Sequence, residues 1–130
     1  MKRIAQNRIL ILLCAFTLFL TSCKNNELDG VRKIAINAID LSQIRNGNYR
    51  GNFSYGDFTC VVEEFVSNTR IETINILENR DSEYAKMAEG VAEKVLRRQG
   101  NDVDVVSAAT ATSKALLKAV ENALRSQSYQ

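Results

Sequence analysis

A chain of 130 residues has room for one domain. Its 17 basic and 15 acidic residues nearly balance, and it holds three cysteines, no proline and no histidine. Without histidine or a closely spaced cysteine pair, zinc binding and histidine-based acid–base chemistry are excluded.

The chain opens Met1-Lys2-Arg3, adds Arg8, and is almost wholly apolar from Ile9 to Leu20. That apolar run is well short of the roughly 20 residues a spanning helix needs, so it reads as a secretory signal. Leu20-Thr21-Ser22-Cys23 follows it. These residues resemble the lipobox of bacterial lipoproteins, whose cysteine receives a diacylglyceryl group before the chain is cut just ahead of it. The resemblance implies a signal peptide over residues 1–22 and a lipid on Cys23. It also implies a mature chain of 108 residues, anchored at the extracytoplasmic face of the cell membrane. Lys2, Arg3 and Arg8 would leave with the signal, so 14 basic residues would face 15 acidic ones, a net charge of −1. The apparent basicity disappears, and nucleic acid is excluded as a partner. Cys14 would leave and Cys23 would be acylated, so Cys60 has no partner for an internal disulfide.

Residues 23–30 are polar and read as a tether, which leaves 31–130 as the domain. Val31 to Leu41, with Ile34, Ile36 and Ala38 at alternate positions, predicts a strand. Asn46-Gly47-Asn48 is a turn signal. Tyr49–Phe53 and Phe58–Val66 predict strands parted by Gly56-Asp57, and Ile71–Leu77 returns after a hairpin turn through Asn68. From Ser82 the period changes. Tyr84, Met87, Ala88, Val91 and Val95 make a helical stripe over 84–99, with Ser82 as cap and Gly100 as stop. A last helix begins at Thr112 or Ser113 and runs to about 125, its apolar face formed by Leu116, Val120, Ala123 and Leu124. Strands followed by helices predict an α+β fold, a small antiparallel sheet packed with two helices.

The chemistry gathers between the helices, in Asp104-Val105-Val106-Ser107-Ala108-Ala109-Thr110-Ala111-Thr112-Ser113. Small residues admit a flat ligand or another backbone, and hydroxyls offer an ester site. A helix start supplies free N–H groups and the positive end of a dipole, which suit a phosphate. The plainer reading is a helix start with redundant caps, since Ser107, Thr110, Thr112 and Ser113 can each serve. Thr112 stands directly before the regular apolar spacing and is the expected cap.

Asp104-x-x-Ser107-Ala108-Ala109-Thr110-x-Thr112-Ser113 resembles the Asp-x-x-Ser-Gly-Ala-Thr-x-Thr-Ser motif of the FMN-binding domain family. That family includes flavin subunits of sodium-pumping NADH:quinone oxidoreductases and Rnf complexes. Asn46-Gly47-Asn48-Tyr49-Arg50-Gly51 looks like the family's Asp-Gly-x-Tyr-x-Gly opening, and the likeness extends over residues 45–125. The family's motif glycine is Ala108 here and its aspartate is Asn46. If that glycine needs positive φ, alanine costs about 1 kcal/mol there.

The resemblance implies FMN joined to Thr110 through a phosphoester made by a magnesium-dependent flavin transferase from FAD. Ser107, Ala108, Ala109, Thr112 and Ser113 would line the cofactor, and Asp104 would serve recognition by the transferase. Tyr49, Tyr55, Phe58 and Tyr84 are candidate flavin neighbours, with core packing as the plainer role of each. The implied function is electron transfer between membrane redox donor and acceptor proteins, as a carrier rather than a stand-alone enzyme. Three alternatives stay open: a non-covalent FMN binder, an apo lipoprotein serving interaction, and a small flavin reductase.

Overall fold

The computed structural model describes residues 25–126. The expected signal peptide and Cys23 lie outside the described residues. In chain order the elements are helix α1 (Asn25–Arg32), a 3-10 turn (Leu41–Gln43), strands β1 (Gly47–Tyr55), β2 (Phe58–Ser67) and β3 (Arg70–Glu78), and helices α2 (Glu83–Ala88), α3 (Gly90–Arg98) and α4 (Thr110–Arg125). This is the expected α+β architecture, with four described helices in place of two.

The sheet is antiparallel in the order β1-β2-β3. β1 and β2 pair without interruption from Gly47↔Val66 to Tyr55↔Phe58. β2 and β3 pair from Val61↔Glu78 to Ser67↔Arg70, with register shifts at Val61/Val62 and Phe65/Val66. The two hairpin turns fall where the sequence places them. Gly56 takes φ +54°, and Asn68 and Thr69 take +50° and +59°. Positive φ at both central residues is what a type I′ turn demands, and it matches the twist of the flanking strands. Asn46 Oδ1 accepts from the Asn68 N–H at 2.9 Å, tying this turn to the entry of β1.

One face of the sheet carries the core. Alternate residues Cys60, Val62, Glu64 and Val66 of β2 are buried, as are Tyr49, Gly51 and Tyr55 of β1 and Ile71 of β3. α4 lies across β1 and β2 and supplies Ala115, Leu116, Leu117, Ala119, Val120, Ala123 and Leu124 to the same core. It passes closest at Gly51, where a Cβ would run into the Ala119 carbonyl oxygen and the Ala123 backbone nitrogen. Asn122 Nδ2 donates to the Asn52 carbonyl at 2.8 Å, which fixes the helix along β1. On the opposite sheet face Phe65 and Leu77 are exposed.

Four expectations need correction. Residues 25–30, read as a tether, are helical, and Val31 at the end of α1 enters the core. The strand expected over 31–41 does not form. α1 ends at Arg32, and the following residues run without a sheet partner, held by side chains of other elements. Lys114 Nζ donates to the Ile34 carbonyl at 3.2 Å, Glu121 accepts from the Asn37 N–H and Nδ2 at 3.0 and 2.9 Å, and Asn101 Nδ2 donates to the Asn37 carbonyl at 2.7 Å.

The helix expected over 84–99 is broken at Glu89, so Tyr84 and Met87 are exposed while Ala85, Ala88, Val91 and Val95 are buried. Ser82 is its cap as expected, accepting from the Ala85 N–H at 3.2 Å. The left-handed residue at its end is Gln99 (φ +56°), one before Gly100. Its side chain then bonds both backbone groups of Ile71. Lastly, α4 starts at Thr110 and its N-cap is Ala109, so Thr112 is a buried residue of the first turn and not the cap.

Candidate functional site in the turn before α4

The segment from Asn101 to Ala109 joins α3 to α4 without regular structure, and its backbone is held by side chains. Asn101, buried, bonds the 37–39 backbone on one side, donating to the Asn37 carbonyl and accepting from the Ile39 N–H at 3.2 Å. Lys94 on α3 reaches across and donates to the carbonyls of Asp104 (2.9 Å) and Val105 (3.4 Å). The Val106 N–H donates to Ser113 Oγ at 3.1 Å, and the Val106 carbonyl accepts from the Ala109 N–H at 3.0 Å. The chain therefore folds back on itself between Val106 and Ala109. At the turn, Ala108 adopts φ +66°. That is the left-handed conformation which glycine enters freely and alanine only at a cost of about 1 kcal/mol.

The structure brings Ser107, Ala108, Ala109, Thr110, Thr112 and Ser113 together in this one turn and the helix start it leads into. Ser107 and Ala108 are exposed and Thr110 is half-buried as the first residue of α4. Thr112 and Ser113 are buried, the latter already engaged with Val106, which makes Thr110 the accessible threonine. Ala109 has no side chain to cap the helix. The first backbone bond of α4 is Ser113 N–H to the Ala109 carbonyl, and among the described residues no acceptor meets the N–H groups of Thr110, Ala111 and Thr112. Three free N–H groups and a dipole end beside a threonine hydroxyl fit a phosphate ester on that hydroxyl. The exposed small residues Ser107 and Ala108 leave the approach open.

Asp104 is exposed, and its carboxylate has no ion pair among the described residues. It lies with Asp102, Lys94, Arg97 and Arg98 around an open cleft of about 620 Å³. A larger cleft, about 860 Å³, lies along β1, β2 and the end of α4, lined by residues such as Arg50, Glu63 and Asn122. It contains none of the residues from Asp104 to Ser113, but it is lined by Asn48, Tyr49, Arg50 and Gly51 of the segment that resembles the family's opening.

The aromatic candidates separate. Tyr49 and Tyr55 are core residues, the Tyr49 hydroxyl donating to the Arg45 carbonyl at 2.7 Å. Phe58 is half-buried and carries the Arg80 guanidinium 4.2 Å above its ring. Tyr84 is exposed on α2. Cys60 is a packing residue, its thiol pushed up to about 11 by burial.

Two groups escaped the sequence reading. Lys94 gives no local signal, because its partners lie ten and eleven residues on. Glu64 does give one: it falls on the inward parity of β2 between Val62 and Val66. It is fully buried opposite Tyr49 and Ile74, and neither carboxylate oxygen has a partner among the described residues. Burial pushes its pKa up to about 8.

A family profile described as "FMN-binding domain" matches residues 55–125. The chain is also similar to an uncharacterized protein of Treponema pallidum (strain Nichols), with 34% identity over 86 residues. That stretch spans 65% of this chain and 24% of the Treponema protein. The profile match covers β2, β3, α2, α3, the turn and α4, more than half of the chain. The chain belongs to the FMN-binding domain family, and FMN is its cofactor.

Proposed function

We propose that this chain is a membrane-anchored, extracytoplasmic flavin carrier for electron transfer, with FMN esterified to Thr110. The observation that carries this reading is the half-buried Thr110 at the uncapped start of α4, in the position that matches the family's attachment residue. The Thr110 oxygen bonds to the FMN phosphorus of FAD, the pyrophosphate bridge breaks, AMP leaves, and the hydroxyl proton passes to a base. A magnesium-dependent flavin transferase is the partner for that step, with the exposed Asp104 carboxylate offered to it. The N–H groups of Thr110, Ala111 and Thr112 would hold the phosphate, and the small side chains of Ala108 and Ala109 would leave room for the cofactor. The flavin supplies the redox chemistry, and the protein supplies its position and electrostatic surroundings.

Membrane redox proteins are the proposed donor and acceptor. The anchor is the lipid on Cys23, outside the described residues. Among those residues no helix is long and apolar enough to cross a membrane.

The test is export and co-expression with an active flavin transferase. Wild type and the variants Thr112→Val and Ser107→Ala are expected to show in-gel flavin fluorescence, while Thr110→Val, nearly equal in volume, folds but stays dark. Fluorescence that survives Thr110→Val and is lost in Thr112→Val would move the site to Thr112.

A further inference from the structure

The attachment turn is held in an unfavourable shape. Ala108 sits at φ +66°, and left alone the segment would relax toward conformations that alanine prefers. Two side chains oppose that relaxation. Ser113 Oγ, inside α4, accepts from the Val106 N–H. Lys94 Nζ, from α3, donates to the carbonyls of Asp104 and Val105, immediately before it. The half-buried Lys94 is the only ammonium among the described residues that bonds this segment. A charged donor shared by two carbonyls is a stronger tie than a neutral hydrogen bond. Ser113, the α4 residue that bonds the segment, accepts from an N–H and leaves the Asp104 and Val105 carbonyls to Lys94.

We infer that Lys94 is a positioning residue for flavin attachment: it fixes the Asp104–Val106 backbone so that the turn presents Thr110 to the flavin transferase. The inference rests on Thr110 being the attachment site. Its physical basis is pre-organisation. If only a fraction of molecules holds the turn in the competent shape, the transferase sees a correspondingly lower effective acceptor concentration. Loss of the clamp therefore raises the KM for the acceptor protein and leaves kcat nearly unchanged. Lys94→Met keeps the aliphatic stem on α3 and removes the donor. Lys94→Arg keeps a charged donor of similar reach.

The experiment measures initial rates of covalent flavin incorporation from FAD by a purified transferase, against concentration of unmodified wild-type, Lys94→Met and Lys94→Arg protein. Amide hydrogen exchange over residues 105–109 and thermal melting are followed in the same samples. Lys94→Met is expected to raise KM by roughly ten-fold or more at near-constant kcat. It should also speed exchange at 105–109 with the melting transition still cooperative, and Lys94→Arg should recover most of both effects. A Lys94→Met protein modified with the wild-type KM, or one whose kcat falls while KM holds, overturns the role of Lys94. Wild-type protein that remains unmodified, while a control acceptor is modified, overturns the Thr110 reading itself and this role with it.

Discussion

Ala108 shows what a single methyl group does at a turn. The backbone there takes the left-handed shape that the family's glycine would adopt without cost, so the turn keeps its form with the wrong residue for it. Ala108→Gly is expected to raise stability by up to about 1 kcal/mol, part of the gain being offset by the freer unfolded chain. Urea denaturation checks this through the midpoint. A midpoint that drops by a comparable amount would mean that Ala108 makes contacts worth more than its strain. Glu64 is the second residue whose chemistry opposes its place. Its carboxyl holds a proton in the folded state up to about pH 8, whereas an ordinary glutamate loses it near 4.5. Below pH 4.5 both states are protonated and the residue has no effect on stability through its charge. Between 4.5 and 8 only the folded state binds the proton, so stability falls with rising pH by about 1.4 kcal/mol per unit. Above 8 both states are ionised and the loss is complete. Glu64→Leu removes this dependence: the variant should gain on the wild type steadily from pH 5 to 8, by several kcal/mol in all, when unfolding free energies are compared across that range. Parallel curves for the two proteins would show that Glu64 finds a partner when folded.

At the scale of elements, the close crossing of α4 over β1 decides where the turn before α4 stands. Gly51 lets the helix backbone lie against the strand, and Asn122 and Ser126 bond the Asn52 and Arg50 carbonyls on either side of it. Gly51→Ala puts a methyl group within 2.7 Å of Ala123 Cα, so the helix must lift. A loss of about 1–3 kcal/mol is expected, readable as a lower thermal midpoint. A neutral substitution would show that α4 has slack over β1. Much of this arrangement was legible. The strands declared themselves by alternation, and Gly56 and Asn68 marked both turns. The Ser-Ala-Ala-Thr segment stood out by composition before any shape was known. What was hidden has three separate causes. Residues 33–40 look like a strand, but their partners are Lys114, Glu121 and Asn101, more than sixty residues away, and side chains take the place of a ladder. The start of α4 was misplaced because four hydroxyl residues can all cap a helix, while the actual N-cap, Ala109, has no capping group. The break at Glu89 lies inside an unbroken helical period, so spacing alone carried Tyr84 and Met87 into a core they do not enter.

For the whole molecule, the proposed flavin site and the proposed anchor lie on one short chain. α1 begins at Asn25, so a lipid on Cys23 would hold the domain close to the membrane surface. Acyl chains bind bilayers by about 0.8 kcal/mol per buried CH₂, and two or more make the attachment stable. Cys23→Ser should therefore move the protein from the membrane to a soluble or uncleaved precursor fraction. Identical fractionation of the two proteins, with the signal removed from the variant as well, would rule out the lipid anchor. A glutamate–amide network ties α4 to the segment that follows α1. Burial raises the Glu121 pKa, but bonds from the Asn37 side chain and backbone and from Lys118 outweigh it, so the carboxylate stays charged and paired between Lys118 and Arg125. We propose that this domain carries FMN on Thr110. The most direct measurement is the mass of the tryptic peptide Gln99–Lys114 from protein isolated from its native host, with fragmentation to locate any adduct. The expected result is an added FMN less one water, localised to Thr110. An unmodified peptide from a host with an active flavin transferase, or an adduct on Ser107 or Thr112, would contradict it.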